Sequence, residues 1–189
     1  MFNDTSTPLS LLTTRRSGKP RDLVAPGPSP EQLEQMIAIA ARTPDHGKLA
    51  PWRFVIVDDR AALATLITDA YRAERPQAAR TEIESLEQFA HQAPALVVVL
   101  SSPSTTSHIP RWEQELSAGA ATMNLLHAAH AMGFAGGWLT GWPTFSDVVR
   151  DAFGGPHERI AGFVFLGTPG RPLDERPRPD LARVISHWP

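Results

Sequence analysis

The 189 residues carry 18 Lys and Arg against 20 Asp and Glu, a formal net charge of −2, and no cysteine. Disulfides, thiolate metal sites and cysteine nucleophiles are therefore excluded. The balanced charge argues against bulk nucleic-acid binding, which leaves a basic footprint. Apolar residues make up 42% and charged residues 20%, a globular composition whose length suits one domain over 1–189 with a sizeable core. No apolar run approaches the ~20 residues that span a bilayer, so no membrane association is expected. The opening stretch MFNDTSTPLSLLTTRR has no positive segment ahead of an apolar run and does not read as a secretory signal. The lack of cysteine suits a reducing cytoplasm, the expected location.

In chain order, residues 8–16 read as a short helix with Leu9, Leu11 and Leu12 as its apolar face. Residues 18–30 hold two glycines and four prolines and read as a loop. Ser29-Pro30-Glu31-Gln32 is a helix start, with Ser29 as N-cap and Pro30 at the first helical position. This helix runs to about residue 41, with Leu33, Met36, Ile37 and Ala40 at helical spacing, and Pro44 stops it. A buried strand is expected at 54–57, a helix at 60–73 and a more polar helix at 77–91, whose Glu82, Glu84 and Glu87 form a solvated face. The unbroken apolar run at 96–100 predicts a strand buried on both faces. After a polar loop at 101–110 comes the longest helix, 112–132, roughly 31 Å in length. Ala118, Gly119, Ala120, Ala121, Ala128, Ala129 and Ala131 crowd small side chains along it, which suits a central rod touching the sheet and a second subunit. Gly133 ends it as a C′ glycine. A strand at 134–140, a short helix at 146–153 and a buried strand at 160–167 follow. The tail, 168–189, holds five prolines and several arginines, and should lie along a surface or wrap a partner. The order of elements gives an α+β sheet flanked by helices.

Two short basic segments stand out against the near-neutral total. One is Arg15-Arg16-Ser17; the other is Arg42-Thr43-Pro44-Asp45-His46-Gly47, followed by Pro51-Trp52. A planar guanidinium donates two parallel hydrogen bonds to a phosphate, so arginines beside a hydroxyl point to a small phosphorylated cofactor. Each residue also has a plainer reading. Arg15 and Arg16 can be a solvated helix end, and His46 a turn histidine. Asp45 can orient His46 or cap the following turn. His127 and His130 share a helix face, but no third ligand stands at suitable spacing, so no metal is expected. Trp112 and Trp138 can stack on a planar ring or belong to the core. Gly136-Gly137 can mark a bulge or admit a ring close to the backbone.

Four segments in order resemble the FMN-dependent nitroreductases, and most closely their small single-domain members. They are Leu11-Leu12-Thr13-Thr14-Arg15-Arg16-Ser17; the stretch Arg42-Thr43-Pro44-Asp45-His46-Gly47 through Pro51-Trp52-Arg53-Phe54; Arg111-Trp112-Glu113-Gln114 with Ser117-Ala118-Gly119; and Gly133-Phe134-Ala135-Gly136-Gly137-Trp138-Leu139-Thr140-Gly141. The resemblance implies a nitroreductase-like fold, with a central, mostly antiparallel sheet flanked by helices and a long central helix at a dimer interface. It implies a homodimer with two FMN sites built between subunits. Arg15, Arg16 and Ser17 would bind the phosphate and polar edge of the cofactor. Arg42 and His46 would reach the flavin from the other subunit, and Trp138, Leu139, Thr140 and Gly141 would line the remaining side. Asp45 and Leu49 replace polar residues of the Ser-x-x-Asn-x-Gln-Pro-Trp form found in many members, of which Pro51-Trp52 remains. The covering excursion of larger members is short here, which implies an open site.

The same resemblance implies an oxidoreductase in which NADH or NADPH reduces the flavin and a nitroaromatic, quinone or similar acceptor reoxidises it, by a ping-pong scheme. No side chain is needed as a nucleophile. Arg16 or Arg42 near the N1–C2=O edge would stabilise the reduced, anionic ring. The first basic segment follows a helix C-terminus, whose dipole repels anions, so arginine charge has to hold the phosphate. The alternative is a protein that stores, delivers or senses FMN without turnover. A third reading, a relative acting on the flavin itself or on halogenated aromatics, usually involves a longer lid.

Overall fold

The apolar run at 96–100 is where two cores meet. The computed structural model describes residues 2–189 and places this run in strand β3 (Ala95–Ser101). Side chains alternate across a strand. Leu96, Val98 and Leu100 enter one core, and Val97 and Val99 the other. Both faces are covered, so the run needs no polar residue. The partner strand β5 (Arg159–Pro169) alternates in the same way. Phe163 and Phe165 join the first core, while Val164 and Leu166 join the second. The Phe163 and Phe165 rings meet Phe89 edge-on at 5.1 and 5.3 Å between centroids. Full burial of each is worth about 1.5–3 kcal/mol.

The sheet runs in the order β1 (Leu23–Val24), β5, β3, β2 (Trp52–Ile56), and β4 (Ala135–Leu139) also pairs with β5; every pairing is antiparallel. Helices α3 (Arg60–Glu74), α4 (Arg80–His91) and α7 (Asp147–Phe153) cover the first face. Helices α2 (Pro30–Ala40) and α5 (Arg111–Ala131) cover the second. The result is an α+β sandwich of helices, sheet and helices.

Local chemistry explains where several elements begin. Ser29 caps α2 with a reciprocal box: its hydroxyl accepts from the Gln32 amide, and the Gln32 side chain accepts from the Ser29 amide. Helix α4 starts at residue 80 rather than 77, because the Glu82 carboxylate accepts from the Ala79 amide at 2.9 Å and closes the first turn there. Glu82 also accepts from the Tyr71 hydroxyl at 2.6 Å, so it ties α4 to α3 while its neighbours face solvent. Arg60, at the start of α3, donates to the Ala90, Gln92 and Ala93 carbonyls at the end of α4. Burial lowers its guanidinium to about 10, below the usual arginine value.

Helix α1 (Pro8–Thr14) differs from its expected form. Leu11 is buried, but Leu9 and Leu12 are 71% and 58% exposed, so no continuous apolar face is covered by this chain. A single turn, α6 (Trp142–Phe145), precedes α7, and another, α8 (Leu181–Val184), interrupts the exposed tail. No helix among the described residues is long and apolar enough to cross a membrane.

Candidate functional site

Helix α1 ends at Thr14, with Arg15 as its C-cap, and the chain turns along β4. Two bonds fix that turn. The Arg16 amide donates to Asn3 Oδ1 at 2.8 Å, and the Gly18 amide donates to the Gly136 carbonyl at 3.1 Å. A Cβ on Gly137 would lie 2.7 Å from the Gly18 carbonyl oxygen and 2.9 Å from the Pro20 ring. Gly137 is therefore needed for the 18–20 segment to rest on β4. The glycine pair serves the packing of one chain segment on another, a use beyond the bulge and the ring approach read from the sequence.

This turn forms one wall of a cleft of about 410 Å³, within the usual range for small-molecule sites. Arg15, Arg16 and Ser17 line it. Leu23, Met123 and Leu126 supply an apolar floor, and Trp138 and Leu139 of β4 a further wall. Trp138 is fixed by a bond from its indole N–H to the Ala161 carbonyl at 3.0 Å. A Cβ on Gly162 would fall 1.9 Å from that indole nitrogen, so the bare glycine makes room for the ring.

The last wall is the tail. Arg171, Pro172, Leu173, Asp174 and Arg176 face the same cleft. Arg16 Nε donates to the Asp174 carbonyl at 2.7 Å and lies 3.4 Å from Glu175 Oε1. Lys19 pairs with Asp174 at 3.3 Å, and Arg178 with Glu175 at 3.3 Å. Positive charge is crowded here. Burial, followed by the charges of Arg178, Arg16 and Arg176, lowers the Arg15 guanidinium below its usual value. A bound anion would relieve that crowding. Five cationic side chains, Arg15, Arg16, Lys19, Arg171 and Arg176, thus stand with the Ser17 hydroxyl at one cleft. This donor set fits a phosphate, and the apolar floor fits a flat ring beside it. Lys19, Arg171 and Arg176 were not singled out from the sequence. The only signal was the arginine-rich composition of the tail, which carries no register.

The second basic segment lies elsewhere. Arg42 is exposed and does not line the cleft. His46 is also exposed, its Nδ1 bonded to Glu113 Oε2 of α5 at 2.9 Å. Asp45 caps the following turn, accepting from the Leu49 and Ala50 amides at 2.5 and 3.2 Å. Glu113, rather than Asp45, is the partner of His46. Thr43 and Pro44 border a shallow groove against Leu116, Ser117, Ala120, Met123 and Asn124 of α5. Met123 lines both the groove and the cleft. Thr140 and Gly141 lie just past β4, outside the cleft lining; Gly141 instead starts α6, its amide donating to Thr144 Oγ1 at 3.3 Å. Trp112 is 61% exposed on the first turn of α5. His130 is fully buried, with neither ring nitrogen bonded.

Fold and site together define an α+β protein with an antiparallel sheet, a long small-residue helix and a cationic cleft suited to a phosphorylated, ring-bearing ligand. The sequence profile of the Nitroreductase family matches residues 12–168, and the chain belongs to that family. It is 39% identical over 164 residues to the "Putative NAD(P)H nitroreductase" of Haemophilus influenzae, a match covering 85% of this chain and 87% of that protein. The fold resembles that of a nitroreductase-like family protein from Bacillus cereus, with a TM-score of 0.79 at 18% identity over 97% of this chain and 96% of the other. It also resembles a structure described as a "putative nitroreductase in complex with FMN" from Desulfovibrio desulfuricans, with a TM-score of 0.72 at 20% identity over 97% and 98% of the two chains.

Proposed function

We propose that residues 1–189 form one FMN-binding domain and that the protein is an NAD(P)H-dependent FMN oxidoreductase, acting as a homodimer in the cytoplasm. The observation that carries this reading is the meeting of Arg15, Arg16 and Ser17 with Trp138, Leu139 and an apolar floor in one cleft. The names of the relatives point the same way.

Bound FMN would supply the redox chemistry, accepting and donating hydride at N5. The protein supplies binding, orientation and charge. Arg15, Arg16 and Ser17 hold the phosphate, which carries about −1.5 to −2 charges at neutral pH, and Lys19, Arg171 and Arg176 add to the field around it. Leu23, Met123 and Leu126 would exclude water from one side of the ring. Trp138 on the cleft wall, with Thr140 and Gly141 just outside the lining, would face the side where donor and acceptor alternate, giving ping-pong kinetics. Nitroaromatics and quinones are the acceptor classes proposed, because both take up hydride without a protein nucleophile. Arg42 and His46 lie outside the cleft of their own subunit and serve that of the partner, across an interface along α5.

Purified protein should be yellow or become so on reconstitution with FMN. Anaerobic NADH or NADPH should bleach it, and a quinone should restore the colour. A preparation that gains no bound FMN sinks the reading. Bound flavin that neither nucleotide bleaches would instead favour storage or delivery of FMN, a role the exposure of Ser17, Trp138 and Thr140 leaves open.

A further inference from the structure

The tail brings acidic groups to the cations of the cleft. Asp174 Oδ2 lies 3.3 Å from Lys19 Nζ, and Glu175 Oε1 lies 3.4 Å from Arg16 Nε and 3.3 Å from Arg178 Nη2. Both carboxylates are largely exposed, at 77% and 61%, whereas the Arg16 side chain is only 11% exposed. The pairing therefore joins a largely buried arginine to exposed partners on a surface segment. A carboxylate and a phosphate monoester seek the same donors, but the phosphate carries more charge and three acceptor oxygens.

We propose that Asp174 and Glu175 are internal competitors for the cofactor phosphate: they hold Arg16 and Lys19 until a phosphate takes those cations, and the 173–176 segment then loosens. This rests on the reading of the cleft as a phosphate site. The Asp174 backbone carbonyl, which also accepts from Arg16 Nε, remains in any side-chain variant. Neutralising the carboxylates thus removes competition without removing that anchor. The cations near the two carboxylates are Arg15, Arg16, Lys19, Arg176 and Arg178, and the facing anion on the cleft wall is Asp22, which lies 3.8 Å from Arg171.

The test compares the wild-type chain with the double variant Asp174→Asn/Glu175→Gln, each freed of flavin and titrated with FMN and with riboflavin, which lacks the phosphate. Competition predicts FMN binding about three- to tenfold tighter in the variant, as expected for two exposed ion pairs, with riboflavin unchanged. Asp180→Asn, in the same tail but capping α8, should change neither. Where FMN binds both proteins, an affinity that is unchanged or weaker in the double variant overturns the proposal and makes the carboxylates ordinary surface pairs or positioners of Arg16. A second measurement does not need the flavin. Inorganic phosphate added to wild-type protein should speed amide hydrogen exchange at 173–176, where the Arg176 amide donates to Glu175 at 2.7 Å. Unchanged exchange also overturns the proposal. If FMN binds neither protein but phosphate loosens the tail, the flavin reading fails while the competition stands.

Discussion

At the scale of single residues, the opposed roles of Arg16 and His130 lead to different measurements. Arg16 is held by a backbone carbonyl and a carboxylate at the edge of the cleft. Its contact with a phosphate would be a charged hydrogen bond worth roughly 1.5–3 kcal/mol. Arg16→Ala is expected to weaken FMN binding by about ten- to a hundredfold, read by fluorescence titration. Thermal stability of the flavin-free variant should fall far less. An equal loss of stability would mark Arg16 as a structural latch for the tail. His130 shows the opposite pattern: it is fully buried and its ring nitrogens make no bond. Burial first, then the charges of Arg15 and His127, lowers it to about 4 from an ordinary value of 6.5. The folded form therefore resists the proton that the unfolded chain accepts. Stability is complete above pH 6.5, falls as pH drops from 6.5 to about 4, and levels off below the folded value. The whole loss is bounded at roughly 3 kcal/mol. Urea unfolding at pH 7 and at pH 4.5 should show it, and His130→Leu should flatten the difference. Neither residue's environment was legible locally. His130 lies on a face shared with His127, and burial was not separable from ligation by spacing alone.

At the scale of elements, the approach of the 18–20 segment to β4 governs the shape of the cleft. Gly137→Ala would set a methyl group 2.7 Å from the Gly18 carbonyl. The expected cost is about 1–3 kcal/mol of overpacking, with FMN affinity falling as well, because Arg15, Arg16 and Ser17 move with the displaced segment. Calorimetry of the variant alongside a flavin titration checks both. A variant that is destabilised yet binds FMN as tightly as wild type would show that the turn is not the phosphate grip. Elements with a local signature were legible in the sequence. Ser29-Pro30 marks the start of α2, and the apolar run at 96–100 marks a strand covered on both faces. Gly133 adopts a φ of +87° at the end of α5, the left-handed geometry expected of a C′ glycine. Helix α6 had no such signature. It is one turn long and is held by Trp142, which packs edge-on against Tyr71 at 4.8 Å and bonds to Glu74. Those partners are about seventy residues away, and no local period encodes them.

At the scale of the whole molecule, a discontinuous set of apolar residues remains uncovered. Leu9 and Leu12 of α1, Trp112 and Leu116 of α5, and Leu181, Val184, Ile185 and Trp188 of the tail are all more than half exposed. A second copy of the chain is the proposed cover for α5. Sedimentation should give twice the chain mass. Leu116→Asp should shift the protein towards monomer and weaken FMN binding by at least tenfold, since Arg42 and His46 would no longer reach the partner's cleft. A monomeric variant with undiminished affinity would show that each chain completes its own site. The tail was legible only as an arginine- and proline-rich surface segment, because the contact from Arg16 to Asp174 spans 158 positions. That span also separates what holds the fold from what closes the cleft. The first wall of the cleft is made at residues 15–23, and the facing wall at 171–176. Both cores are built from residues up to Leu166, and the tail from Arg171 contributes a wall of the cleft. Cutting the chain near residue 170 is therefore expected to leave both cores in place and to remove one side of the binding site.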